Sequence, residues 1–380
     1  MKICFDISQT GRNKAGGGYL AYSLIRALAE IDRKNQYLQY PTFGDFYFDP
    51  DWKKTISLVR QENFKKGFSQ SNLEEAKQFW NSPESDFEYL LGNPDIIHSN
   101  NYYCPVGLSK AKLVYTLYDL IFLEAPEYTT EANRIGCFDG VFRASLFADH
   151  IISISEYSKS HFLATFPYYP QEKITVVPLA SRYVADISQP IERPSSLSFL
   201  ESDQFLFNLG TLEPRKNQIG LLHAYTILQG ELKNTFPLVI GGGKGWLLDG
   251  FEDQIMKLGL QDKVFLLGYV DDNQLQWLYR NCFAFIWPSF FEGFGLPVLE
   301  AMSQGAAVIT SNTTSLPEVV GDSGILIDPE DVDAIASAMF NLISDNQERQ
   351  RIKAMALNRS AEFTWERVAK KINTLYANIN

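Results

Sequence analysis

Short apolar runs alternate with helix-patterned stretches along this whole chain, and that alternation limits its fold more than any other feature. In the first half the runs are KICFDI (Lys2–Ile7), PDIIHS (Pro94–Ser99), KLVYTLYD (Lys112–Asp119), HIISIS (His150–Ser155) and KITVVP (Lys173–Pro178). In the second half they are QFLFNLG (Gln204–Gly210), FPLVIGGG (Phe236–Gly243), KVFLLGYV (Lys263–Val270), CFAFIWPS (Cys282–Ser289) and AAVITS (Ala306–Ser311). Continuous apolar runs of this length suit strands buried on both faces, as in parallel sheets. Between them, segments such as YLAYSLIRALAEI (Tyr19–Ile31) repeat apolar residues three and four apart. Strand and helix in alternation predict an α/β architecture of doubly wound parallel sheets.

At 380 residues the chain exceeds what one core usually serves, so two domains are expected. ISQPIERPSSLSFLESD (Ile187–Asp203) is rich in proline and serine and has no period, which marks it as the linker. The expected division is therefore 1–186 and 200–363, two Rossmann-like domains facing a cleft and closing about residues 187–200. An amphipathic stretch, TWERVAKKINTLYANI, is expected to form a closing helix over 364–380 that packs back on the N-terminal domain. The region Trp52–Tyr89 mixes charges and aromatics without a clear period.

The net charge of −11 excludes a general nucleic-acid binder, which needs a basic stripe. Cys4, Cys104, Cys137 and Cys282 lie far apart without metal-ligand spacing. MKICFDISQT lacks a signal peptide's apolar stretch, and no run approaches 18 apolar residues. A cytoplasmic protein is expected, with any membrane contact peripheral at the inner face.

Gly16, Gly18 and Ala21 fit G-x-G-x-x-A formally, but the triplet follows its strand too late for a dinucleotide turn. A glycine loop feeding a helix still suits an anion or sugar hydroxyls, which makes Gly17 and Gly18 donor-binding candidates. IGGGKGW (Ile240–Trp246) lacks P-loop spacing and reads equally well as a turn.

In NLGTLEPRKNQIG a strand runs into Arg215 and Lys216 just before a helix, against the preference for acidic groups there. A bound anion at this strand end offsets that cost. In FEGFGLPVLEAM, Glu292 and Glu300 bracket a Gly-Phe-Gly-Leu-Pro turn, and Pro297 suits a first helical turn. Amides of Gly293, Phe294, Gly295 and Leu296 would face a diphosphate, and Glu300 could accept both ribose hydroxyls. Asp271 and Asp272 in GYVDDNQL resemble an acidic metal motif, but their place before a helix favours an N-cap.

These segments, with SNTTSLPEVVGDSGILIDPED (Ser311–Asp331), resemble the family 4 retaining glycosyltransferases of the GT-B fold. PDIIHSNNYYCP, LYDLIFLEAPEY and IISISEYSKSHF extend the similarity through the N-terminal half. The resemblance implies that Arg215 and Lys216 grip the diphosphate of a nucleotide sugar, Glu300 holds the ribose and Glu292 contacts the transferred sugar. It also implies an N-terminal acceptor domain, with Asp119 and Tyr118 as catalytic candidates. Many relatives carry histidine at position 118, and a phenol is a poor base at neutral pH. His98, alone at a strand end, reads as either a core group or a sugar or acceptor contact.

EPRKN with SLPEVVG resembles the mannosyltransferase-like branch, so GDP-mannose is the preferred donor and UDP-sugars come next. The acceptor is expected to be a saccharide or lipid-linked intermediate, with no metal and no cofactor. A nucleotide-sugar epimerase and a silent sugar-nucleotide-binding subunit are the alternatives.

Overall fold

The computed structural model describes residues 1–11, 14, 16–43, 56–81, 83, 87–232, 236–243, 245 and 250–379. They form two compact units: residues 1–180 with 364–380, and residues 181–363.

The first unit holds a parallel sheet of β1 (Lys2–Asp6), β2 (Gln36–Tyr40), β3 (Phe64–Lys66), β4 (Ile96–Ser99), β5 (Lys112–Leu117), β6 (His150–Ser153) and β7 (Ile174–Val176). Their order is β3-β2-β1-β4-β5-β6-β7, so the winding reverses between β1 and β4. The second unit repeats the plan with β8 (Leu206–Leu209), β9 (Leu238–Gly241), β10 (Val264–Gly268), β11 (Ala284–Trp287), β12 (Val308–Ser311) and β13 (Ile325–Ile327). Its order is β10-β9-β8-β11-β12-β13, reversing between β8 and β11. Ligands of open α/β sheets collect beyond the strand ends at such reversals.

Each apolar run of the sequence forms one of these strands. The strands without a sequence signal are β2, β3 and β13. β2 is QYLQY, whose buried Tyr37 and Tyr40 alternate with polar glutamines. β3 and β13 span three residues each at sheet edges, too short for any period. Within 40–92, helices Leu73–Asn81 and Phe87–Leu90 accompany β3.

The second unit begins at Ser181, ahead of the stretch expected to link the halves. Residues 187–200 belong to that unit because side chains fix them. Arg280 donates to the carbonyls of Asp186 (3.0 Å) and Gln189 (2.6 Å), Arg193 to that of Leu200 (2.6 Å), and Leu197 and Leu200 are buried. Proline and serine there reflect an irregular but packed segment. Helix Trp365–Ile379 belongs to the first unit and lies against helix Gly16–Ile31, burying Val368, Ala369, Ile372, Leu375 and Tyr376. Among the described residues no helix is long and apolar enough to cross a membrane.

Candidate active site

The second unit assembles its site at the β8–β11 reversal. β8 ends at Gly210, whose φ of +140° is open only to glycine. The neighbouring turn after β9 does the same at Gly242 (φ +139°), where a Cβ would stand 1.9 Å from the Gly210 carbonyl oxygen. The two turns therefore stack backbone on backbone.

EPRKN then folds residue by residue. Pro214–Lys216 is one 3-10 turn, and Asn217 reverses the chain in the left-handed region (φ +55°). The Asn217 side chain caps helix Gln218–Glu231 by accepting from the Gly220 amide (3.2 Å), and donates to the Pro329 carbonyl (2.7 Å). This presents Arg215 and Lys216 beside the loop that follows β11. That loop is laced to them: the Phe290 amide donates to the Arg215 carbonyl (2.9 Å), and Arg215 Nη1 to the Phe291 carbonyl (2.9 Å).

Both cations meet Glu292. Lys216 Nζ lies 2.6 Å from Glu292 Oε1 and Arg215 Nη1 3.1 Å from Oε2. Glu213 completes the group, 2.5 Å from Arg215 and 4.0 Å from Lys216. Lys216 also stands 4.5 Å above the Trp287 ring, a cation–π contact. Burial works to raise the Glu292 pKa, yet Lys216 and Arg215 bring it down to about 2, so the carboxylate is ionised.

Here the structure revises the sequence reading. The electrostatic cost of Arg215 and Lys216 is offset by two protein carboxylates, a neutral cluster of four charges. Glu213 carried no signal in the sequence, because one glutamate before a proline is ordinary.

Glu292 is held from a third segment. Its amide donates to Thr314 Oγ1 (3.2 Å) and its carbonyl accepts from Ser315 Oγ (2.8 Å). Gly293, Phe294 and Gly295 are buried and lead into helix Leu296–Ser303, with Pro297 in its first turn. Gly295 takes φ +102°, and a Cβ there would lie 2.6 Å from Leu316 Cδ2. The first amides of a helix lack intrahelical partners and carry its positive dipole end, which suits an anion.

Glu300, one turn into that helix, is only 2% exposed. It sits in a different set of contacts from Glu292. Oε1 accepts from Arg182 Nε (2.6 Å) and Oε2 from the Tyr279 hydroxyl (3.2 Å). Arg182 Nη1 reaches Asp272 (2.9 Å). Asp271 caps helix Asp272–Asn281 in a reciprocal capping box with Gln274. Nothing in the local sequence singled out Arg182, which lies 118 positions from Glu300.

In the first unit, the glycine triplet forms the first turn of helix Gly16–Ile31 rather than a loop. A Cβ on Gly18 would meet the Gln9 carbonyl oxygen at 2.2 Å, so close backbone packing by itself requires glycine there. At Gly17 a Cβ would come 3.2 Å from the Tyr118 hydroxyl. That hydroxyl donates to the Asn100 carbonyl (2.5 Å), and burial, with Asp6 nearby, raises its pKa. Tyr118 therefore holds its proton at neutral pH, which weighs against a base role. Asp119 accepts from the Tyr102 hydroxyl and the Ile121 amide, both at 3.2 Å. Of the four cysteines, all free, only Cys137 is partly exposed.

His98 is a correction. It is fully buried, with Nε2 2.9 Å from Thr116 Oγ1 and Nδ1 bonded to the Tyr376 hydroxyl. Thr116 donates its proton to Asn100 Oδ1 (3.0 Å), so it accepts from His98 Nε2–H, and Tyr376 donates to Nδ1. Burial lowers the His98 pKa to about 3. With both nitrogens used inside the core, the geometry favours the core-group reading over a sugar or acceptor contact. Of the second glycine cluster, Lys244 and Trp246 lie outside the described residues.

Comparison with known proteins matches residues 191–359 to the family described as "Glycosyl transferases group 1" and residues 16–180 to "Glycosyltransferase Family 4". A curated relative, O-antigen chain mannosyltransferase B of Escherichia coli, is 37% identical over 71% of this chain and 71% of its own. Sucrose-phosphate synthase of Thermosynechococcus elongatus shares the fold at TM-score 0.73 and 17% identity, over 100% of this chain and 98% of its own. Anabaena HepE, solved in complex with UDP, does so at TM-score 0.72 and 21% identity, over 99% and 100%.

Proposed function

The chain belongs to the family 4 glycosyltransferases, with the GT-B fold, and from that premise we propose that it transfers mannose from GDP-mannose to a growing saccharide or lipid-linked acceptor, retaining the α configuration. One observation carries this reading: the Arg215–Lys216 pair held against Glu292 beside the start of helix Leu296–Ser303. A related mannosyltransferase of O-antigen chains supports mannose and a polysaccharide product. HepE, crystallised with UDP, keeps a UDP-sugar as the second choice of donor.

The geometry suggests how the cluster would act. An arriving diphosphate competes with Glu292 for Lys216 and Arg215. As the cations turn to the phosphates, Glu292 is released toward the sugar, while Glu213 keeps hold of Arg215. Glu300 accepts the ribose hydroxyls. The same cations and helix start then stabilise the charge that builds on the leaving diphosphate, the point at which stabilisation lowers the barrier. The leaving phosphate itself assists attack of the acceptor hydroxyl on the same face of the sugar.

Helix Glu131–Phe147 exposes Ile135, Phe138, Phe142, Leu146 and Phe147. Such an apolar stripe supports contact with a membrane surface bearing a lipid-linked acceptor.

A calorimetric panel of GDP- and UDP-sugars, followed by transfer to α-mannosyl acceptors with the anomeric configuration read by NMR, tests the reading. Binding of GDP-mannose and α-linked product is the expected result. An inverted product, or a donor that binds equally well to Lys216→Ala and Glu300→Ala, would overturn it.

A further inference from the structure

Glu300 poses a problem that the proposed ribose contact does not solve by itself. A carboxylate this deeply buried is costly to keep ionised, yet only the ionised form accepts from both hydroxyls of a diol. The local geometry meets both demands. Arg182 meets Glu300 Oε1 through Nε at 2.6 Å, while its Nη1 donates to Asp272 at 2.9 Å. Tyr279 takes one site on Oε2. A carboxylate has about four lone-pair sites, so two remain, the number a vicinal diol needs.

We infer that Arg182 is a positioning residue for sugar transfer, holding Glu300 as an oriented carboxylate for the ribose diol while Asp272 anchors the far side of its guanidinium. The inference rests on the ribose role proposed for Glu300.

Among the described residues, Arg182, Tyr279 and Asp272 are the charged and titratable groups that act most on Glu300. Burial, with Asp272, leaves its pKa above the usual carboxylate value, and Arg182 and Tyr279 hold that rise back. Removing Arg182 leaves burial and Asp272 to favour the protonated carboxyl, which donates one bond and loses its second acceptor role. Nucleotide affinity then becomes dependent on pH, weak at low pH and recovering as pH rises through the Glu300 pKa.

The test is calorimetric titration of the full chain with GDP and UDP, and with the 2′-deoxy form of whichever binds, at pH 6.5 and pH 8.5. Wild type is expected to show similar affinity at both pH values and to prefer the ribonucleotide. Arg182→Met is expected to lose about tenfold or more at pH 6.5, to recover most of it at pH 8.5, and to lose the ribose preference at the lower pH. Arg182→Lys, which keeps the cation, is expected to restore the pH-independent affinity, and Arg182→Gln is read in place of Arg182→Met if that variant does not fold. Wild-type affinity and ribose preference in Arg182→Met at both pH values would overturn the inference, as would a pH-dependent loss in Arg182→Lys equal to that of Arg182→Met. Glu300→Gln separates the two levels. If it leaves the ribose preference intact, the ribose reading fails. If it abolishes the preference while Arg182→Met does not, only the role of Arg182 fails.

Discussion

Lys216 Nζ stands 2.6 Å from Glu292 Oε1 across 76 positions of sequence, and both side chains are buried. A buried pair is worth little over an apolar isostere, but removing one partner strands the other. The pair is thus poorly explained as a stability device. On the function proposed above, it is a cation held in place together with the carboxylate that a more highly charged anion would displace.

Glu292→Gln and Lys216→Met should therefore act in opposite directions on product binding. With Glu292 neutral, Lys216 and Arg215 lose a competitor, so GDP affinity is expected to hold or rise while transfer falls about 100-fold, a loss of roughly 2.7 kcal/mol of transition-state stabilisation. Lys216→Met is expected to weaken GDP by about tenfold or more, roughly 1.4 kcal/mol. Calorimetry with GDP and a transfer assay check both. Parallel losses of affinity in the two variants would remove the displacement scheme.

Acid stability should carry the signature of Glu292. Its pKa falls from 4.5 to about 2 on folding, so the stabilisation is complete above pH 4.5 and is lost as pH drops toward 2. The amount is on the order of 3 kcal/mol. Urea midpoints between pH 6 and 3 should drop more steeply for wild type than for Glu292→Gln.

His98 should act in a higher window. Its pKa is lowered from 6.5 to about 3, so stability is full above pH 6.5. Below that, the unfolded chain binds a proton that the folded chain refuses. The loss approaches about 1.4 kcal/mol per pH unit. Between pH 6.5 and 5, His98→Gln should flatten the fall of the urea midpoint.

Tyr118→Phe tests the withdrawal of a base role from this residue. The variant loses the bond to the Asn100 carbonyl, about 1 kcal/mol of stability. Its kcat/KM is expected to stay within about threefold of wild type. A collapse of kcat at unchanged KM and melting temperature would return the hydroxyl to the chemistry.

Gly295→Ala should damage both fold and site. The backbone at φ +102° disfavours any side chain, and the added Cβ would press on Leu316 at 2.6 Å. A cost of roughly 1–3 kcal/mol is expected, together with weaker GDP binding as the start of helix Leu296–Ser303 shifts. Thermal melts and calorimetry read the two effects separately.

Much of the fold was legible because strand burial leaves a local mark. The apolar runs all became strands, whereas β2, β3 and β13 are polar or only three residues long. Residues 187–203 read as a linker because proline and serine mark irregular backbone, whether it is free or pinned as residues 186–200 are by Arg280 and Arg193.

In the site, the sequence by itself determined what short-range geometry dictates. Pro297 opens a helix, Asn217 caps one, and the glycines of the Glu292–Glu300 segment permit backbone that other residues resist. It could also name charged residues of the right chemistry. Only the tertiary structure decided which charges meet: Lys216 with Glu292, Arg215 with Glu213 as well, Glu300 with Arg182, and His98 with Tyr376. Ion pairs and buried hydrogen bonds join residues far apart in the chain, and they fall off within a few ångströms. Their partners are therefore fixed by how strands and helices pack, which no single stretch of sequence contains.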